Sequence, residues 1–139
     1  MAAEGKKEGD ENALKPLFWI GSSRNDLRKF PEEVKDVMGF ALYQAQMGGK
    51  HVDAKPLKGF GGAGVLEIAD DHDGDTYRGV YTVNFAGRIY VLDAFQKKSR
   101  KGKKTPQPDI DRIKERLKAA EDDYKKWRSS QKKKKKAKK

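Results

Sequence analysis

Three apolar segments separated by very short connections constrain the fold of this chain more than any other feature of its sequence. Residues 65–69, 76–85 and 88–97 are rich in β-branched and aromatic side chains, as β-strands are. The acidic sequence DDHDGD connects the first two segments, and a tight turn at Ala86 and Gly87 connects the last two. Connections this short join antiparallel neighbours, so we predict a meander of three antiparallel strands.

The positions of the apolar side chains predict which face of this sheet is buried. If both hairpins close symmetrically, the cross-strand pairs are Ile68 with Tyr77, Tyr81 with Leu92, and Val83 with Tyr90. One face then carries mainly apolar residues and is the predicted core face, namely Leu66, Ile68, Tyr77, Tyr81, Val83, Tyr90, Leu92 and Ala94. The other face carries Glu67, Arg78, Asp93, Phe95 and Lys97, with Arg78 across from Phe95 and Glu67.

Two helices are predicted ahead of the meander. Residues 17–20 form a short apolar strand, after which the sequence SSRNDL begins a first helix. Pro31 suits the first turn of a second helix, because its fixed φ angle is compatible with that position. Apolar side chains recur at helical spacing over residues 34–45 and stop at Gly48, which is typical of a helix end.

A last helix completes the predicted fold. It begins at Pro108 and carries an apolar stripe over residues 110–124. The fold class is therefore α+β, a compact domain with an antiparallel twisted sheet of about four strands, two N-terminal helices and a C-terminal helix. We predict a disordered extension at residues 1–14, a folded domain at residues 15–127 and a disordered tail at residues 128–139.

Composition narrows the possible environments of the chain. Its 139 residues suit one domain, and the absence of cysteine excludes disulfides and cysteine-based metal sites. No apolar run approaches the ~18 residues of a membrane span, and the N-terminal sequence has no signal-peptide core. We therefore predict a cytoplasmic protein that contacts no membrane, binds no metal and uses no small-molecule cofactor.

The C-terminal lysines carry most of the net charge of +11. Residues 128–139 hold eight basic and no acidic residues. A segment of this composition favours polyanions without sequence preference and with strong salt dependence. It is equally compatible with a solubilising extension and with an anchor to RNA or to a ribosome.

Several motifs in order along the chain resemble one family of known proteins. They are SSRNDLRKFPEEV, ALYQAQMGG, KPLKGFGGAGVLEI, YRGVYTV and YVLDAFQKKS with a later TP. Over residues 15–124, the chain resembles the phage-derived, HigB-like branch of the RelE/ParE toxin superfamily. The resemblance implies a sheet with helices on one side, whose concave basic face cuts messenger RNA, usually in the ribosomal A site. It also implies a helix-turn-helix antitoxin, similar to HigA, as partner, commonly encoded in the adjacent reading frame.

The chemistry of RNA cleavage explains why basic residues would collect at a strand end. Attack of a 2′-OH on the adjacent phosphate needs a base, an acid and stabilisation of extra negative charge on the phosphoryl oxygens. Clustered lysine and arginine can stabilise that charge without a metal. Crowding of like charges can also lower a lysine pKa towards the range of proton transfer.

The resemblance assigns roles to individual residues. Arg78 is the predicted phosphate ligand, and Lys97 and Lys98 stabilise charge or transfer protons. The predicted RNA-binding residues are Lys55, Lys58, Phe95, Arg100 and Lys101, with Phe95 offering a ring on which a base stacks. The pattern departs from the family at Asp93, where relatives often have histidine, and a carboxylate there would repel phosphate.

Each assignment has a structural alternative. Arg78 can simply pair with Glu67 across the strands, and lysines at a strand edge can serve only solubility. Two function classes stay open on the same scaffold. One is a metal-independent, ribosome-dependent mRNA endoribonuclease toxin. The other is a binding protein, either a ParE-like inhibitor of DNA gyrase or a relative that holds nucleic acid and cuts it weakly or not at all.

Overall fold

Five strands and three helices make up the residues that the computed structural model describes, which are residues 14–62, 64–97 and 105–137. In chain order, the elements are β1 (Leu17–Trp19), α1 (Ser23–Arg28), α2 (Glu32–Gln46), β2 (Lys55–Pro56), β3 (Val65–His72), β4 (Asp75–Phe85), β5 (Arg88–Lys97) and α3 (Gln107–Ala137). The extension predicted at residues 1–14 lies, except for Leu14, outside the described residues. No helix within these ranges is long and apolar enough to cross a membrane.

The strands form one mixed sheet in the order β1-β5-β4-β3-β2. β1 runs parallel to β5, whereas the other neighbouring pairs are antiparallel. The predicted sheet of about four antiparallel strands is therefore corrected in two respects. The chain reaches β5 from β1 only after two helices and three strands, and this long connection allows a parallel pair. β2 was missed because it contains two residues, Lys55 and Pro56, in a segment rich in glycine and lysine.

The hairpin between β3 and β4 is longer than the sequence predicted. Most of the DDHDGD segment belongs to the two strands, and only Asp73 and Gly74 form the turn, both with positive φ angles. The twist of such a two-residue turn matches the right-handed twist of the strands, so the two strands remain paired up to the turn. As a result Ile68 lies opposite Gly79, two positions from the predicted partner Tyr77.

The hairpin between β4 and β5 has the predicted register over its first half. Arg78 lies directly opposite Phe95, and Val80 lies opposite Asp93. A bulge between Val80 and Tyr81 then shifts the pairing, so Tyr81 lies opposite Val91 and not opposite Leu92. An extra residue in one strand reverses the alternation of side chains beyond it.

Helices cover both faces of the sheet. α2 packs on one face, where Val34, Met38 and Leu42 meet Ile68 and Tyr81. α3 packs on the other face, where Ile113 and Ala120 meet Val80, Tyr90 and Leu92. The expectation of helices on one side is thus wrong, because the apolar stripe of a helix does not determine which face of a sheet it covers.

The bulge also divides the predicted core face. Tyr81 and Ala94 belong to the core under α2, whereas Tyr90 and Leu92 belong to the core under α3. Val83 is exposed. The sheet has two buried faces, so apolar residues occupy both sides of its central strands.

α3 continues through Ala137, although residues 128–139 were predicted to be disordered. Lysine is a good helix former, and no glycine or proline interrupts the sequence after Pro108. The packed first part of α3 supplies a nucleus from which the helix propagates. The division of the chain into a domain and a tail stays a prediction.

Candidate functional site

A charged cluster lies on the face of the sheet that α3 covers. We call it the Arg78 cluster, and it consists of Glu67, Arg78, Phe95 and Lys97. The register of the strands assembles it, because Arg78 lies opposite Phe95 and Thr76 lies opposite Lys97. Arg78 Nη1 lies 2.7 Å from Glu67 Oε2. The cross-strand pairing of Arg78 with Glu67, one of the two interpretations of the sequence, is therefore present.

The Arg78 cluster is buried. Arg78 and Lys97 have only 5% and 6% of their surface exposed. In this structure Arg78 and Lys97 therefore do not lie on an open basic face. Arginine and lysine are rarely buried unless they are paired, so their position here requires compensating carboxylates.

Burial changes the protonation of Lys97. Burial of the ammonium group, together with the positive charge of Arg78, lowers the pKa of Lys97, and the carboxylates of Glu67 and Asp109 oppose this effect in part. A lysine with a lowered pKa releases its proton more readily than an exposed one. Such a group is suited to proton transfer, although structural ion pairs also perturb pKa values.

Thr105, just before α3, and the start of α3 contact two members of the cluster. Thr105 Oγ1 donates a hydrogen bond of 2.9 Å to Glu67 Oε2, the same oxygen that pairs with Arg78. The guanidinium group of Arg112 lies 5.7 Å from the centre of the Phe95 ring. These contacts hold Thr105 and the first turns of α3 against Glu67 and Phe95.

Asp93 anchors α3 to the sheet. Its Oδ2 lies 2.8 Å from Arg112 Nη2, and its Oδ1 lies 3.1 Å from Arg116 Nη1. Arg116 also donates a hydrogen bond to the carbonyl oxygen of Leu92. The carboxylate that was expected to repel phosphate is thus buried and compensated by two arginines.

Sequence reasoning missed these anchoring residues, although a signal was present. Arg112 and Arg116 are four residues apart and therefore lie on one side of a helix. Asp93 interrupts an apolar strand with a charge that must find a partner once the strand is buried. The three residues together predict a contact between the last strand and the last helix.

A groove beside the cluster contains two of the predicted RNA-binding residues. It has a volume of about 460 Å³ and lies between β2, the following loop and the start of α3. Lys55, Lys58 and Lys114 line it, and Glu67 and Thr105 lie in the same wall. Lysine side chains therefore border the carboxylate that pairs with Arg78.

A second groove lies on the other side of α3, also with a volume of about 460 Å³. β1 pairs with Ile89, Tyr90 and Val91 of β5, and the later residues 93–96 of β5 line this groove. Phe95, Lys29 and Arg112 are among the lining residues. The two grooves flank the helix that covers the Arg78 cluster.

The structure describes only part of the predicted site. It brings Arg78, Lys97 and Phe95 together and places Lys55 and Lys58 in the neighbouring groove. The predicted residues Lys98, Arg100 and Lys101 lie outside the described residues. Within residues 14–62, 64–97 and 105–137, no three of the histidine and acidic side chains are grouped so that they could hold a metal ion.

The structure is that of a small α+β protein. Its mixed sheet carries the Arg78 cluster on the face that the last helix covers. A family model described as phage-derived protein Gp49-like (DUF891) matches residues 25–118. The chain belongs to this Gp49-like family, which is a family of RelE-type toxins. Membership in the family supports a toxin of a toxin–antitoxin system.

One solved structure with a similar chain is the crystal structure of the RelBE2 toxin–antitoxin complex from Mycobacterium tuberculosis. The aligned chains are 17% identical with a TM-score of 0.42, and the alignment covers 62% of this chain and 94% of that chain. No curated protein matches the sequence significantly.

Proposed function

We propose that this chain is the toxin of a type II toxin–antitoxin system, of the HigB-like branch, and that it cleaves messenger RNA at the ribosome without a metal. Membership in the Gp49-like family supports the toxin role. The observation that carries the nuclease proposal is the approach of Arg78, Glu67 and a Lys97 whose pKa is lowered. The proposed partners are messenger RNA, the ribosome and a HigA-like helix-turn-helix antitoxin.

In the proposed reaction, the 2′-OH of one nucleotide attacks the adjacent phosphorus and displaces the 5′ oxygen of the next nucleotide. The guanidinium group of Arg78 holds the phosphate and stabilises the charge that develops on it. Lys97, whose pKa is lowered, exchanges a proton with one of the reacting oxygens. Phe95 offers a ring for base stacking, and Lys55 and Lys58 hold the RNA backbone in the adjoining groove.

The proposal requires that the first turns of α3 move. Arg78 and Lys97 are too deeply buried for a phosphate to reach them in the present conformation. The contacts that must break are those of Asp93 with Arg112 and Arg116, and that of Thr105 with Glu67. RNA bound in the grooves beside α3 could supply the free energy for this movement, because its phosphates compete with Asp93 for the arginines.

Burial of the cluster favours a second candidate, a relative that binds nucleic acid without cutting it. In that case Arg78, Glu67 and Lys97 are a structural ion-pair network. The exposed lysines of the groove and of α3 then account for binding.

The direct test is to express the chain and to map the 5′ ends of cellular mRNA. A matched pair of variants isolates the guanidinium group. Arg78→Lys keeps a positive charge beside Glu67, and Glu67→Gln keeps a hydrogen-bond acceptor for Arg78 and Thr105. If Arg78 holds the phosphate, Arg78→Lys should reduce cleavage by roughly a hundredfold or more, whereas Glu67→Gln should retain most of it.

Two outcomes would contradict the proposal that the chain is a nuclease. One is growth arrest without new 5′ ends, and the other is equal cleavage by Arg78→Lys and the unmodified chain. Thermal unfolding of each variant separates loss of function from loss of fold. Nucleic-acid binding without cleavage by the unmodified chain would support the second candidate.

A further inference from the structure

An exposed apolar patch lies on the outer side of α2, away from the sheet. Phe40, Tyr43 and Met47 are 55%, 47% and 57% exposed, and Val52 in the segment after the helix is 89% exposed. Positions 40, 43 and 47 have the spacing of one helix face. The ring of Phe40 contacts the ring of His51 at 5.8 Å, which brings the segment containing Val52 beside the helix. We call these four residues the α2 patch.

The α2 patch does not contribute to the core of the chain. The opposite side of α2 already fills the space above the sheet with Val34, Met38 and Leu42. Four large apolar side chains left together in solvent are unfavourable, and contiguous exposed patches of this kind mark binding surfaces.

Gly39, beside Phe40, supports the same interpretation. It is exposed in the middle of α2, and an added Cβ atom would meet no atom within 4 Å beyond its chain neighbours and the adjacent backbone of its own helix. The fold therefore does not need a glycine there, although glycine disfavours a helix relative to alanine. A glycine on an outer helix face allows the backbone of a partner to approach closely.

The charge around the α2 patch is acidic on balance, because exposed Lys50, and Lys35 which pairs with Glu32, are outnumbered by four acidic residues, Glu32, Glu33, Asp36 and Asp53. Glu32, Glu33 and Asp36 are exposed on the first turns of α2, whereas the net charge of the chain is +11. Glu33 also lies 3.2 Å from His72, which connects α2 with the acidic tip of the β3–β4 hairpin. This side of the molecule disfavours RNA and favours a basic protein segment.

We propose that the α2 patch is the docking surface for the antitoxin, which presents to it a helix with an apolar stripe flanked by basic side chains. This inference rests on the proposed function. Charge complementarity favours such a partner over a second copy of the chain, whose own α2 patch carries the same acidic flank. α2 and the Arg78 cluster lie on opposite faces of the sheet, so binding here leaves the RNA-binding face uncovered.

The test measures binding between the purified chain and the purified product of the adjacent reading frame. Phe40→Gln and Met47→Gln remove apolar surface, and Asp36→Lys reverses the flanking charge. The controls are Val83→Gln, an exposed apolar residue on β4, and Asp122→Lys, an exposed acid on α3. Each patch variant should raise the dissociation constant at least tenfold, whereas each control should stay within about twofold.

Growth assays supply the second measurement. The patch variants should still arrest growth, and co-expression of the adjacent reading frame should no longer relieve that arrest. Circular dichroism checks folding, and each single variant is judged separately so that one unfolded protein does not decide the result. The inference is overturned if folded patch variants bind as the unmodified chain does, or if the adjacent product does not bind the unmodified chain.

The remaining outcomes distinguish this inference from the proposed function. If the unmodified chain is a dimer in analytical ultracentrifugation and the patch variants are monomers, a second copy occupies the patch and the inference is wrong. If the unmodified chain arrests no growth and cuts no mRNA, the proposed function fails. The comparison of dissociation constants still decides whether the α2 patch is the docking surface.

Discussion

Lys97 illustrates how burial acts on a single charged side chain. Its folded-state pKa lies below the ordinary value of 10.5, chiefly because of burial and then because of Arg78. The unfolded chain therefore binds more protons between these two pKa values, and the free energy of unfolding rises with pH across that window. At neutral pH, the protonated side chain destabilises the fold.

We expect Lys97→Met to raise the melting temperature at pH 7, because it removes a buried charge and keeps an unbranched side chain. The difference from the unmodified chain should shrink as the pH approaches the ordinary lysine pKa of 10.5. Melting curves recorded at neutral and at alkaline pH measure this difference. The control is Lys118→Met, which changes an exposed lysine on α3. A Lys97→Met variant that is less stable at every pH would show that the ion pairs outweigh desolvation.

Sequence reasoning identified the members of the Arg78 cluster but not their environment. The predicted pairing of Arg78 with Phe95 is present because two register shifts in the hairpin, one between Thr82 and Phe85 and one between Val80 and Tyr81, cancel each other. Burial of Arg78 was not predicted, because it depends on contacts with residues that are distant in the sequence. The exposure of a side chain thus cannot be derived from the pattern of its own strand.

At the scale of elements, charged side chains attach α3 to the sheet at two separate points, in addition to the apolar contacts of Ile113 and Ala120. The first is Asp93 with Arg112 and Arg116. The second is Arg88, whose guanidinium group lies between the rings of Phe18 and Trp127, at 3.9 Å and 4.3 Å from their centres. The two points can be loosened independently.

The variant Asp93→Asn should release the first turns of α3. It removes the charge that compensates Arg112 and Arg116, and we expect a destabilisation of about 2 kcal/mol, since one partner remains partly exposed. Amide hydrogen exchange should become faster in the first turns of α3 and change little near Trp127. If the proposed function is right, mRNA cleavage per folded molecule should increase. The control is Asp109→Asn, which removes the other carboxylate paired with Arg112 and leaves Asp93 in place. Unchanged exchange in α3 would show that Asp93 does not hold the helix.

The variant Arg88→Lys should loosen the other attachment point. Lysine cannot stack between two rings as a planar guanidinium group does, and it cannot reproduce the contacts with both Tyr90 and Asp123. We expect a destabilisation of about 1–2 kcal/mol, or roughly 5 °C in melting temperature. The matched control is Arg128→Lys, whose guanidinium group lies over the single ring of Tyr124. Equal melting temperatures for both variants would argue against a role for the double stacking.

The elements that the sequence predicted well are those with local signals. α2, β4 and β5 follow from side-chain periodicity together with glycine and proline at their ends. β2 escaped prediction because its two residues become a strand only through pairing with Glu67 and Leu66 of β3. The bulge at Val80 escaped prediction because no residue type there requires it, and it redistributed the apolar residues over two cores.

At the scale of the whole molecule, basic charge is concentrated at the C-terminal end of the chain, where residues 128–139 include eight basic and no acidic residues. The acidic start of α2 lies beside the tip of the β3–β4 hairpin, where Glu33 contacts His72. Positive charges grouped in one segment strengthen electrostatic attraction to a polyanion.

Removal of residues 128–139 should weaken RNA binding and leave the domain folded. Arg128 donates a hydrogen bond to Tyr124 one turn earlier in the same helix, and neither of the two described cores includes a residue of this segment. We therefore expect a change of no more than about 2 °C in melting temperature, as for surface substitutions. The slope of log K against log salt for a single-stranded RNA should become shallower by roughly 0.7 for each phosphate that is no longer neutralised.

A second variant separates charge from helix length. Replacement of the five lysines at positions 132–136 by glutamine keeps a good helix former while removing the charge. It should bind RNA nearly as weakly as the truncated chain does. An unchanged salt slope in both variants would show that the lysines do not neutralise the phosphates.

The parallel pairing of β1 with β5 has a consequence for how the chain is made. Ser23, just after β1, donates its hydroxyl to the carbonyl oxygen of Val91, 68 positions later in the sequence. During synthesis, β1 therefore cannot pair with β5 until most of the polypeptide has been translated. Contacts between such distant positions slow folding. A nascent chain acquires its complete sheet late, and this delay separates the start of translation from the appearance of a folded product.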